Sequence, residues 1–104
     1  LNFSGGQRQR LTIARALLRK MDLWLLDDIS SALDYRTDAR MRKAMEPYLA
    51  DSAVIRVSQR VYQIKNADHI MVLDNGRMSA YGTHQELLRT SELYREIVAS
   101  QSEE

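Results

Sequence analysis

Ser4-Gly5-Gly6-Gln7 places a hydroxyl, two residues without side chains and a neutral amide in direct succession. Glycine lets the backbone approach a ligand closely. Where a helix begins, free N–H groups and the helix dipole favour an anion, phosphate above all. Ser4 adds a hydroxyl donor. Taken alone, the same pattern also describes a loop that merely caps a helix. A second cluster stands at Asp27-Asp28, where the apolar run Leu23-Trp24-Leu25-Leu26 ends in two carboxylates. An apolar strand ending in a carboxylate sets a hard oxygen ligand at the C-terminal edge of a sheet, where open α/β sheets bind nucleotides. Alone, an Asp-Asp pair is equally a solvated strand end.

The elements that must position these groups follow from periodicity. Leu11, Ile13, Ala14, Leu17 and Leu18 recur at helical spacing after Ser4, which predicts an N-cap at Ser4. The helix is expected over roughly residues 6–20, with Arg19 and Lys20 in a cationic last turn. Leu23 to Leu26 has the continuous apolar character of a buried parallel strand. Asp34 is placed to cap a second helix through Ala39, Met41, Met45 and Leu49, with a kink or early end near Glu46 because of Pro47. Ala53-Val54-Ile55-Arg56-Val57 predicts a second strand, and Val61 to Asn66 a short helix or turn. His69 to Leu73 and Arg77 to Tyr81 flank Asp74-Asn75-Gly76, a hairpin signal. Thr83 with Glu86 forms a capping box for a further helix, and Ser91 caps a last amphipathic one carrying Leu93, Tyr94, Ile97 and Val98. Gln101 to Glu104 reads as a polar, frayed tail.

Strands alternating with helices make the fold class α/β, with a mainly parallel sheet flanked by helices and a C-terminal β-hairpin. With 104 residues, the chain suits one small domain or part of a larger one. The missing leading strands of such a sheet favour the second reading over a complete small α/β domain. The opening Leu1-Asn2-Phe3-Ser4 carries no initiator Met and no signal segment, so the chain is expected to come from something longer. Lys and Arg number 15 against 14 Asp and Glu, a net charge of +1 that makes no case for nucleic acid or an anionic membrane. Cysteine is absent from the sequence, which excludes disulfides and cysteine metal sites. The longest strongly apolar run, Leu23 to Leu26, is far too short to span a bilayer.

Phe3-Ser4-Gly5-Gly6-Gln7 continues into Gln7-Arg8-Gln9-Arg10-Leu11 and Ile13-Ala14-Arg15-Ala16-Leu17, and there the sequence closely resembles the signature motif and helix of ATP-binding cassette (ABC) ATPases. Leu23 to Asp28 resembles a Walker B strand, and Ser31-Ala32-Leu33-Asp34 the D-loop. The resemblance runs on through Ala67 to Arg77 and Gly82-Thr83-His84-Gln85-Glu86-Leu87-Leu88, stretches similar to those of exporter-type domains. It implies a partial P-loop NTPase fold, with residues 1–104 as the C-terminal segment of one ABC ATPase domain. No Gly-x-x-x-x-Gly-Lys-Ser/Thr occurs in the sequence, so the Walker A half is not among these residues. Alone, the polypeptide is expected neither to bind ATP tightly nor to hydrolyse it.

The implied cofactors are ATP and Mg²⁺. Asp27 matches the carboxylate that orients Mg²⁺, and Asp34 belongs to the D-loop that borders the nucleotide. The family usually has Glu after the Walker B Asp and His at the switch position following the next strand. This chain has Asp28 and Gln59. A carboxylate shortened by one methylene falls about one ångström short, and displacement on that scale costs on the order of a hundredfold in rate. Gln can donate to a γ-phosphate but cannot titrate. Both departures affect the same nucleotide site, which resembles the degenerate sites of heterodimeric exporters.

In this family two ATPase domains meet head to tail, each ATP lying between the Walker motifs of one and the signature of the other. The resemblance therefore implies that Ser4, Gly5, Gly6 and Gln7 complete a partner's site, with Asp27, Asp28 and Gln59 framing a slow one. The implied partners are a second ABC ATPase domain and an exporter's transmembrane domains, with no nucleic acid. The implied location is the cytoplasmic face of the cell membrane. Competing readings are a non-catalytic regulatory ABC module, and a soluble ABC ATPase of DNA repair, chromosome structure or translation. The Gly82 to Leu88 ending argues for transport. His69 and His84 are read as surface or turn residues. Trp24, Tyr35, Tyr48 and Tyr62 are read as packing groups, and Arg8, Arg10, Arg15 and Arg19 as solvated or interface side chains.

Overall fold

The computed structural model describes residues 4–29 and 33–102. Its order is α1 (Gly5–Leu17), β1 (Leu23–Asp27), α2 (Tyr35–Leu49), β2 (Ala53–Val57), α3 (Val61–Ile64), β3 (Ile70–Asp74), β4 (Arg77–Gly82), α4 (His84–Thr90) and α5 (Glu92–Ser102). The chain forms two units that divide between Val57 and Ser58.

In the first unit, Ser4 caps α1 as its residue type predicts. The helix ends at Leu17, so Arg19 and Lys20 lie beyond it and the basic residue of the last turn is Arg15. The apolar pattern over-reached because Leu18 is strongly exposed and docks on nothing that would extend the helix. Strands β1 and β2 pair in parallel, Leu23 opposite Ala53 through Asp27 opposite Val57. The Ser52 hydroxyl donates to the Met21 carbonyl at 2.5 Å, pinning the entry of β2 beside that of β1.

Ile13, Trp24, Leu26, Met45 and Leu49 form the core of this unit, with Leu17, Ile29 and Met41 packed against it. Strand β1 is therefore buried on one face only. Trp24 and Leu26 point inward, whereas Leu23, Leu25, Ile55 and Val57 leave the opposite face of the sheet apolar and exposed. The expected continuous burial is not met, because α1 and α2 cover one side of the sheet.

Asp34 caps α2, and the helix passes through Pro47 to Leu49 rather than ending near Glu46. Pro47 lacks the N–H that would reach back one turn, but burial of Met45 and Leu49 holds the last turn on the core despite that loss. Asp38 has no exposed surface and meets Arg42 Nε at 3.4 Å. In β2 the half-buried Arg56 feels both groups. Desolvation lowers its pKa most, Arg42 lowers it further and Asp38 raises it.

The second unit is built on the β3–β4 hairpin. Asn75 and Gly76 sit at φ 50° and 75°, the positive values a two-residue primed turn needs, so Asn-Gly is the fitting pair. Val72 pairs with Ala80 but Leu73 with Met78, so Ser79 is the extra residue of a β-bulge. Ile70, Val72, Leu87 and Tyr94 make the core, with Leu93, Ile97 and Val98 of α5 against it. Thr83 and Glu86 close the predicted capping box on α4, and Ser91 accepts from the Tyr94 N–H at 3.1 Å to start α5. Helix α5 runs through Ser102, so Gln101 is helical rather than frayed. The parallel sheet is thus the β1–β2 pair, and the predicted C-terminal hairpin forms a second sheet. No helix among the described residues is long and apolar enough to cross a membrane.

Candidate functional site

The residues predicted to bind phosphate cluster at one helix end. Ser4 Oγ accepts from the Gln7 N–H at 3.1 Å, while Gln7 Oε1 accepts from the Ser4 N–H at 2.9 Å. Gly5 and Gly6 are the first two residues of α1, inside the helix rather than before it. The first turn contains no acidic residue. Its dipole therefore carries roughly half a positive charge with no side-chain counter-charge in that turn. The Ser4 hydroxyl accepts in the box, which leaves its hydrogen available to a ligand. Phe3, which begins the motif, lies outside the described residues.

Asp27 is the last residue of β1 and is exposed, with Asp28 directly after it. Asp28 adopts φ 49°, and its N–H donates to the Val57 carbonyl at 2.8 Å. Asp is among the few side chains that occupy this left-handed region readily. The ladder thus runs one bond past β1, and the chain turns sharply at the residue where the family pattern has Glu. The Thr37 side chain, and after it the Thr37 N–H that donates to Asp34 at 2.7 Å, hold the Asp34 carboxyl below the ordinary range, with Arg10 and Arg36 acting the same way. Ser31 and Ala32 of the D-loop lie outside the described residues, and Leu33 is buried.

Gln59 belongs to the second unit, two residues after β2, and its side chain is exposed. The loop that carries it is tied on both sides. Ser58 Oγ accepts from the Arg60 N–H at 2.9 Å and donates to Gln63 Oε1. Gln101 Nε2 donates to the Gln59 carbonyl at 2.7 Å, and Gln101 Oε1 accepts from the Val61 N–H at 2.8 Å. Sequence reasoning missed Gln101 by assigning it to the tail. The available signal was its place on the inward stripe of α5, seven residues after the buried Tyr94.

Trp24 packs in the core as expected, but Tyr35 and Tyr48 are exposed. His69 stacks on Tyr81 with ring centres 5.3 Å apart, and His84 Nδ1 lies 2.6 Å from the Tyr94 hydroxyl. A cavity of about 220 Å³ opens between Arg15, Ala16, Arg19, Met21 and Trp24, and none of the predicted phosphate or metal residues lines it. Among the described residues, no group of three or more His, Cys, Asp or Glu could hold a metal on its own.

The sequence model of the ABC transporter family matches residues 1–31. An uncharacterized ABC transporter ATP-binding protein of Mycobacterium tuberculosis is 45% identical over 102 residues, 98% of this chain and 18% of that protein. The ABC multidrug transporter mdr4 of Aspergillus fumigatus is 46% identical over 100 residues, 96% of this chain and 8% of that protein. A bacterial Atm1-family ABC exporter solved with ATP bound superposes with a TM-score of 0.85 at 37% identity, over 95% of this chain and 17% of that one. The chain belongs to the ABC transporter family. This ABC transporter segment spans less than a fifth of the length of each of these relatives. The mixed α/β architecture is that of a partial ABC ATPase, similar to the matching part of the Atm1-family exporter.

Proposed function

We propose that residues 1–104 are the second half of an exporter's ATPase domain and serve two nucleotide sites unequally. The observation that carries this reading is the start of α1. Ser4 and Gln7 cap one another, Gly5 and Gly6 stand at the first helical positions, and no acid offsets the dipole. Such an end suits a γ-phosphate held against it by a second ABC ATPase domain. Electrostatic positioning of that kind accounts for much of phosphoryl-transfer catalysis.

By the family resemblance, Asp27, Asp28 and Gln59 would each serve the chain's own nucleotide site. Mg²⁺ usually takes one or two carboxylates plus substrate phosphates, so the exposed Asp27 fits that role without a wider cluster. The ion would neutralise charge on the phosphates of ATP. Asp28 would polarise water from a shorter reach, and Gln59 would donate a hydrogen bond without changing charge. Both properties slow hydrolysis while still allowing ATP to be held. The transporter would then be a heterodimer at the cytoplasmic face of the membrane, its transmembrane domains lying outside this segment.

The test is to introduce Asp28→Glu and Gln59→His together in the full transporter and to measure Mg-ATP turnover. Turnover is expected to rise, with the rate at this site recovering by up to about a hundredfold. Unchanged turnover would overturn the unequal-site reading and favour a purely regulatory module.

A further inference from the structure

We infer that Gln101, at the end of α5, is a positioning residue for Gln59 and sets the hydrolysis rate of this chain's own nucleotide site. The inference rests on the proposal that Gln59 faces a γ-phosphate. A primary amide offers a carbonyl acceptor and an N–H₂ donor on one rigid plane. Gln101 uses both. It donates to the Gln59 carbonyl at 2.7 Å and accepts from the Val61 N–H at 2.8 Å, so one side chain grips the backbone on either side of Arg60.

The same loop is braced from within by Ser58, through Arg60 N–H and Gln63. The Ser58 brace is local, whereas the Gln101 clamp spans some forty residues and refers the loop to a packed helix. That helix is itself fixed by Tyr94, Ile97 and Val98 on the hairpin core. Gln59 carries an exposed side chain on a backbone held at both flanks, an arrangement that limits where its amide can reach. Shifts of about 1 Å at a reacting group are enough to cost on the order of a hundredfold, so the clamp bears on rate rather than on fold alone.

The experiment uses the full transporter loaded with γ-labelled ATP and Mg²⁺, followed through a single turnover. A slow phase reports this chain's site. A fast phase, which draws on α1 at the partner's site, reports whether the rest of the fold survives. Gln101→Ala, and Gln101→Met to keep the volume while removing both hydrogen bonds, are each expected to retard the slow phase on the order of tenfold. Neither should alter the fast phase. Gln59→Ala should retard the slow phase similarly, and adding Gln101→Ala to it should have no further effect, because the clamp acts through Gln59. A Gln101 loss that adds in full to that of Gln59→Ala, or equal slowing of both phases, overturns the positioning role and leaves the site reading intact. A slow phase untouched by Gln59→Ala sinks the site reading, and this inference with it.

Discussion

Helices α1 and α4 begin with the same local device and differ in the charge of the residue that closes it. Both have a hydroxyl N-cap reciprocally bonded to the third helical residue, Ser4 with Gln7 and Thr83 with Glu86. In α4 the partner is a carboxylate, which places a negative charge in the first turn and offsets the dipole. In α1 it is an amide, and the turn holds no acid at all. Capping geometry is thereby conserved between them while the electrostatic character is reversed. One end is finished as structure, and the other keeps its positive potential. The two glycines of α1 sharpen the contrast, since glycine at helical positions costs stability relative to alanine and gives only close access in return.

Converting one end into the other tests the comparison most severely. Gln7→Glu keeps the capping box but gives α1 the charge of α4. ATP turnover of the full transporter is expected to fall on the order of a hundredfold, the scale of losing one preorganised phosphate contact. Retained turnover would show that α1 is open for no electrostatic reason. A smaller effect comes from Ser4→Ala, which removes the N-cap acceptor at a cost of about 1 kcal/mol. Amide exchange at Gln7 should then quicken about fivefold, as that energy implies for a local opening.

The smallest effect is expected from the reverse exchange. Hydrogen bonds from Thr83 hold the Glu86 carboxyl below its ordinary value of 4.5. A depressed folded pKa means that the ionised group supports the fold in full above pH 4.5 and loses that support as pH falls through the lowered value. Glu86→Gln should therefore loosen the first turn of α4 at neutral pH, read as faster amide exchange at Leu87. The gap from wild type should close as the solution is acidified below 4.5. A gap independent of pH would mean that shape alone, not charge, finishes α4.

Much of this was legible in the residues. Caps at Ser4, Asp34, Thr83 and Ser91, the Asn75-Gly76 turn and all four strands follow from side-chain chemistry that acts within a few residues. The errors fall where distant packing decides. Leu18 continues the apolar pattern yet finds no neighbour, so α1 stops at Leu17. Pro47 should disrupt α2, but Leu49 is buried and the last turn holds. Tyr35 and Tyr48 are aromatic and still face outward.

The candidate site divides in the same way. Ser4, Gly5, Gly6, Gln7 and Asp27 were candidates from residue type and order, whereas Asp28, Asp34 and Gln59 became candidates through the family resemblance. The left-handed turn at Asp28 and its bond to Val57 required β1 and β2 to be paired first. The Gln101 clamp required α5 to be docked on the hairpin. The sequence by itself determined the family, the element order and which residues are candidates for the site, since motifs and caps act within a few residues. Only the tertiary structure decided which face of β1 is covered and what holds the loop of Gln59. Those depend on contacts between residues far apart in the chain, which no local pattern encodes.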